Sequence, residues 1–156
     1  MSRALPLLIA LLLMTPVGPV PLWAAHWHVP DAVPTVGEAL TVAAPGDTIL
    51  IDCGTYLESD LHVPDGIVLR SATGQPECVT LDAQGTDRVL YIADAGPETR
   101  LEGLTIAGGK ANSIPSAGGG AYLVYGAPLL VDCVFTGNQA LEGAGIFLDH
   151  CDAHLL

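Results

Sequence analysis

The sequence predicts an all-β solenoid of short parallel strands, on three observations. The segment Leu101-Glu102-Gly103-Leu104-Thr105-Ile106-Ala107-Gly108 returns 29 residues later as Leu130-Val131-Asp132-Cys133-Val134-Phe135-Thr136-Gly137. A glycine cluster running into an apolar strand, Gly118-Gly119-Gly120-Ala121-Tyr122-Leu123, returns as Gly143-Ala144-Gly145-Ile146-Phe147-Leu148, offset by 25 because the intervening loop is four residues shorter. Within the repeats the apolar positions alternate with a period of two, and the corners are Gly and Asn. Turns of a few residues leave no room for βα crossovers, so each strand is expected to lie parallel and in register over its predecessor one repeat earlier. A β-sandwich also has many short strands, but it would not require the same strand–corner–strand order to recur.

The elements follow in order along the chain. Residues 1–25 read as a signal peptide: Met1-Ser2-Arg3 is a positive start, Ala4 to Met14 is an apolar run of eleven, and Ala24-Ala25 offers small residues for cleavage. The run falls short of the ~20 residues that cross a bilayer. Cleavage after Ala25 would set the bulky Trp23 at the third position back, so a retained anchor stays open as an alternative. Residues 26–34 read as a leader segment, with His26 and His28 unstructured. Thr35-Val36-Gly37-Glu38 fits a capping box, and Val36, Ala39, Leu40 and Ala43 form one apolar helical stripe ended by Pro45-Gly46. Residues 35–44 are therefore expected to be a helix covering the first repeat of the array. Strands are expected at 48–51, 56–58, 61–63, 67–70, 78–81, 89–92, 104–106, 121–124, 131–135 and 145–148, with corners rich in Gly, Pro and Asp. The 25-residue offset sets Leu155 on Leu130, so Leu155-Leu156 opens another strand. The array over residues 35–156 is thus expected to be truncated at its C-terminal end, continuing into further repeats or associating end to end with a second copy.

Composition bounds the partners. The chain carries 17 acidic and 5 basic residues; loss of Arg3 with the leader would leave four basic residues and a formal charge of −13. Such a surface excludes nucleic acid as a partner. The 18 glycines serve tight corners rather than disorder, because half the chain is hydrophobic.

Several of these segments resemble a known family. Ala44-Pro45-Gly46-Asp47-Thr48-Ile49 with Gly54-Thr55-Tyr56-Leu57-Glu58 resembles the first coil of secreted bacterial β-helix repeat proteins. Phe135-Thr136-Gly137-Asn138 and Gly143-Ala144-Gly145-Ile146 resemble the F-x-x-N and G-G-A-I elements of polymorphic outer membrane protein repeats, the second only approximately. The resemblance covers residues 30–156 and implies a right-handed parallel β-helix, the fold of the pectate lyase superfamily. It implies fold rather than activity, because such proteins include lyases, adhesins and passengers.

The candidate sites are few. In β-helix lyases, as the resemblance implies, calcium on several carboxylates acidifies a proton that Arg or Lys removes. The available bases are Arg70, Arg88, Arg100 and Lys110, and Asp82, Asp87 and Asp94 surround the strand after Arg88. These aspartates also sit where turns favour Asp, so no catalytic residue and no cofactor are assigned, with Ca2+ kept as the cation such a site would take. His150-Cys151-Asp152-Ala153-His154 has zinc-ligand chemistry but lacks flanking structure to organise it, and no metal site is assigned there. Cys53 and Cys78 lie 25 residues apart, about one repeat, and neighbouring strands at ~4.8 Å suit a disulfide between them. Cys133 takes the place of Leu104 in the repeat and is expected to be a small buried hydrophobe. Alignment sets Tyr91, Tyr122 and Phe147 in one column whose flanking residues point inward. That column either stacks sugar rings as a ligand site or stabilises the strand stack.

The expected protein is a secreted, non-catalytic repeat scaffold of an extracellular or cell-surface protein. Two alternatives remain: a polysaccharide lyase-like enzyme, and a glycan-binding or adhesive module.

Overall fold

A computed structural model describes residues 24–112 and 114–156; the expected signal peptide lies almost wholly outside them. In chain order the elements are β1 (His26–Val29), α1 (Val36–Val42), β2 (Thr48–Ile51), β3 (Gly54–Tyr56), β4 (Leu61–Val63), β5 (Val68–Ser71), β6 (Val79–Asp82) and β7 (Leu90–Ala95), followed by β8 (Arg100–Glu102), β9 (Thr105–Ala107), β10 (Ala121–Gly126), β11 (Leu129–Val131), β12 (Val134–Thr136), β13 (Ile146–Cys151) and β14 (His154–Leu155). They form three stacked parallel sheets, ordered β1-β2-β5-β8-β11-β14, β4-β7-β10-β13 and β3-β6-β9-β12. From β2 onward each strand pairs with the strand three places further along the chain, an order compatible with the predicted solenoid.

The register is the one the repeat demands. Leu101 pairs with Leu130, Ile106 with Phe135, Tyr122 with Phe147, and Leu130 with Leu155. A slip of one residue would turn every inward side chain outward, so the alternation itself fixes the pairing. Ile49, Ile51, Leu69, Leu81, Leu90, Ile92, Leu101, Ile106 and Leu123 point inward and are fully buried between the sheets.

Three local expectations change. Residues 26–34, set apart as a leader, contain β1, which pairs with β2 along its whole length, from His26 with Thr48 to Val29 with Ile51. β8 and β11 are separate strands ahead of glycine- or cysteine-bearing corners; Arg100-Leu101-Glu102 is too short to display alternation. Thr35 does cap α1, its hydroxyl accepting from Glu38 N at 3.1 Å. The remaining helix amides are taken by Glu58, whose two carboxylate oxygens accept from Val36 N at 2.9 Å and Gly37 N at 2.7 Å. An acid from the corner after β3 thus satisfies two first-turn amides that the capping box leaves open, and its negative charge suits a helix N-terminus.

The F-x-x-N element has a physical reason. Asn138 folds back toward the preceding repeat, its Nδ2 donating to Ile106 O at 2.9 Å and its Oδ1 accepting from Gly109 N at 2.8 Å. Gly109 fits there because a Cβ would collide with the Gly119 carbonyl. Asn138→Ala strips both partners and should destabilise by about 1–3 kcal/mol, read as a lowered urea midpoint. Asn138→Asp should not rescue it, because a carboxylate cannot donate to Ile106 O.

Candidate functional site

The sheet β4-β7-β10-β13 carries the candidate site on its outer face. Strand alternation turns Leu90, Ile92, Ala121 and Leu123 into the core and leaves Tyr91 and Tyr122 on the other side. Phe147 continues the row on β13, beside an inward Ile146 that is only half-buried. The structure therefore brings together all three residues of the expected aromatic column. His62 on β4 extends it, paired with Tyr91 in register. The sequence held a signal for His62, because Leu61-His62-Val63 repeats the alternation of Leu90-Tyr91-Ile92 at the same 29-residue offset.

The rings use their faces on one another. Tyr91 and Tyr122 stack with centroids 5.8 Å apart and planes 3° apart, and Tyr122 and Phe147 stack at 5.5 Å and 12°. His62 lies tilted against Tyr91 at 4.8 Å. The Arg88 guanidinium sits 5.0 Å from the Tyr122 centroid, a cation–π contact. Tyr122 is consequently only 6 % exposed, although it faces away from the core. Its hydroxyl donates to Asp149 Oδ2 at 2.9 Å. Burial, followed by that acid, pushes the Tyr122 hydroxyl pKa up; the Tyr122 and His150 bonds hold Asp149 below the usual carboxylate range.

Beside the column lies a cavity of about 310 Å³ lined by Asp60, His62, Arg88, Tyr91, Ile114, Pro115, Tyr122 and Val124. Arg88 is 4 % exposed and donates to Pro115 O at 3.0 Å, tying the loop before β10 over the rings. A larger cavity, about 540 Å³, lies between α1 and β4 and includes Glu58, whose carboxylate is held by the helix amides.

The other candidates are dispersed. Arg70 and Arg100 both pair with Glu102 on the six-stranded sheet, at 3.8 and 3.3 Å. Lys110 follows β9 and is exposed. Asp82 accepts from Gln84 N at 2.8 Å and Asp87 from Arg88 N at 2.8 Å, both local turn contacts, while Asp94 adopts a left-handed φ of 53°. His150 Nδ1 meets Asp149 Oδ1 at 2.6 Å. Among the described residues no group of three or more His, Cys, Asp or Glu side chains is placed to hold a metal ion.

Cys53 and Cys78 form a disulfide with Cα atoms 4.6 Å apart, which points to an oxidising setting. Cys133 and Cys151 are free and half-buried. Cys133 packs against the core at the Leu104 position, and burial pushes its thiol pKa up. No described helix is long and apolar enough to cross a membrane. Comparison with family models, with curated proteins and with solved structures finds no match to this chain.

Proposed function

We propose that the protein is a secreted, right-handed parallel β-helix that serves as a non-catalytic scaffold in an extracellular or cell-surface assembly. The observation that carries this reading is the self-packed ring column. His62, Tyr91, Tyr122 and Phe147 contact each other from strand to strand, with the Arg88 guanidinium over the Tyr122 ring and Asp149 accepting from the Tyr122 hydroxyl. Face-to-face rings stabilise stacked strands, and a ring whose faces are covered has only its edge to offer a sugar. The Cys53–Cys78 disulfide, the apolar leader and the acidic composition support export. Incubation with polygalacturonate and calcium should give no unsaturated product. Turnover that disappears in Arg88→Ala would replace the scaffold with a lyase.

One feature favours a second reading, a glycan-binding module. The exposed His62 ring and Tyr91 line the same cavity as Asp60 and Arg88, so a single sugar has an aromatic wall and charged hydrogen-bonding groups within one recess. A glycan-array signal abolished by Tyr91→Ala would support binding there.

A further inference from the structure

Asp47 stands at the tight turn before β2 and is 6 % exposed, yet its carboxylate is held by three separate donors. Oδ1 accepts from Ala25 N at 2.7 Å; Oδ2 accepts from Trp27 Nε1 at 3.0 Å and from Ala44 N at 2.9 Å. These donors hold its pKa below the usual carboxylate range, the Ala44 amide most strongly, then the Trp27 indole and the Ala25 amide. All three donors are uncharged in the unprocessed chain. Buried carboxylates are ordinarily paired with a cation, because hydrogen bonds alone replace lost hydration incompletely. The shortest of the three contacts comes from the backbone nitrogen of a residue inside the expected cleavage region.

We propose that Ala25 is the first residue of the mature protein and that its α-ammonium group forms an ion pair with Asp47. The inference rests on the export reading. A water molecule would hydrolyse the Ala24–Ala25 amide: the hydroxyl goes to the Ala24 carbonyl carbon, which departs with the leader as a carboxylate. The Ala25 nitrogen gains protons to become an ammonium with three donors where the peptide had one. That nitrogen already lies at charge-assisted hydrogen-bond distance from Oδ1.

Two observations choose this bond over the next one. The Ala25 carbonyl accepts from Thr48 N at 2.9 Å, so Ala25 is fixed at both ends, whereas Ala24 is exposed. Cleavage after Ala25 would remove both contacts and leave Oδ1 without its donor. Cleavage before Ala25 also puts Leu22 rather than the larger Trp23 at the third position back, nearer the small-residue pattern of leader peptidases. His26, the first residue of β1, is the other titratable group whose charge acts on Asp47.

The ion pair has a signed pH signature. An α-amine that gains a carboxylate partner has its folded pKa raised, so the stabilisation is complete below the ordinary value of about 7.7–8.0 and is lost as pH rises through the raised one. Intact-mass analysis and N-terminal sequencing of secreted protein should give Ala25 as the first residue. A first residue of His26 or later overturns the inference and leaves export standing; a full-length chain beginning at Met1 in the membrane fraction overturns both. In the secreted protein, the midpoint for labelling the α-amine with an amine-reactive ester should lie at least about one pH unit above the ordinary range. Labelling at pH 8 should be about fivefold slower than in Asp47→Asn. An ordinary midpoint in the wild-type protein overturns the ion pair, and that measurement decides the matter if Asp47→Asn does not fold.

Discussion

Ile106→Ala should lower the stability of this protein by about 2–5 kcal/mol, the range for emptying a closed aliphatic site. Ile106 is fully buried on β9, between Leu81 of β6 and Phe135 of β12, with which it is paired in register. Its side chain is one layer of an inward column that begins at Tyr56, so neighbours held by their own ladders cannot collapse into the space. Phe135 is the equivalent position one repeat later, but it is half-buried because β12 is the outermost described strand of its sheet. Phe135→Ala should therefore cost roughly half of what a fully enclosed Phe does, about 2 kcal/mol. The simple repeat argument ranks Phe135 above Ile106 by side-chain size; burial reverses that order. Thr105 lies on the outer face of the same strand. Its hydroxyl donates to Pro76 O at 2.8 Å, and Thr105→Ala should cost about 0.5–1.5 kcal/mol. Urea unfolding of the three variants checks the series, and equal losses at positions 105 and 106 would refute the inward–outward assignment.

Replacing both Cys53 and Cys78 by Ala should remove about 3.5 kcal/mol, the loop-closure entropy associated with a cross-link spanning 25 residues. The bridge joins the corner between β2 and β3 to the residue just before β6, where Gly54 N also donates to Cys78 O at 2.8 Å. It therefore clamps two successive repeats at one corner, and the unfolded chain, not the folded one, bears most of the constraint. Reductant should shift the wild-type unfolding midpoint to that of the double variant and leave the double variant unmoved. Thiol counting under denaturing conditions should find two free cysteines, Cys133 and Cys151, before reduction and four after. An unchanged midpoint on reduction would show that the bridge does not stabilise the fold.

The class of structure and its register were legible in the sequence, and so was the aromatic column. Side-chain alternation in a strand is a local property, and a repeat of 29 or 25 residues states which local patterns lie side by side. Leu101 over Leu130 and Tyr122 beside Phe147 need nothing more, whereas Tyr91 precedes Tyr122 by 31 residues and is matched to it by the shared apolar–Tyr–apolar pattern of Leu90-Tyr91-Ile92 and Ala121-Tyr122-Leu123. The Cys53–Cys78 pairing followed from the same spacing argument. What only the tertiary structure decided lies at the corners and the outer face, where residues about 20 to 34 positions apart meet through turns of irregular path. No periodicity announces that Glu58 caps α1, that Asp47 gathers Ala25 and Trp27, or that Asn138 reaches back to Ile106 and Gly109. Nor could outward orientation alone give the burial of Tyr122. Its neighbours' rings and the guanidinium of Arg88 cover a side chain that strand alternation turns away from the core, and that cover depends on the path of the loop to Pro115. Periodicity fixes which face a residue is on; only the folded chain decides what else reaches that face.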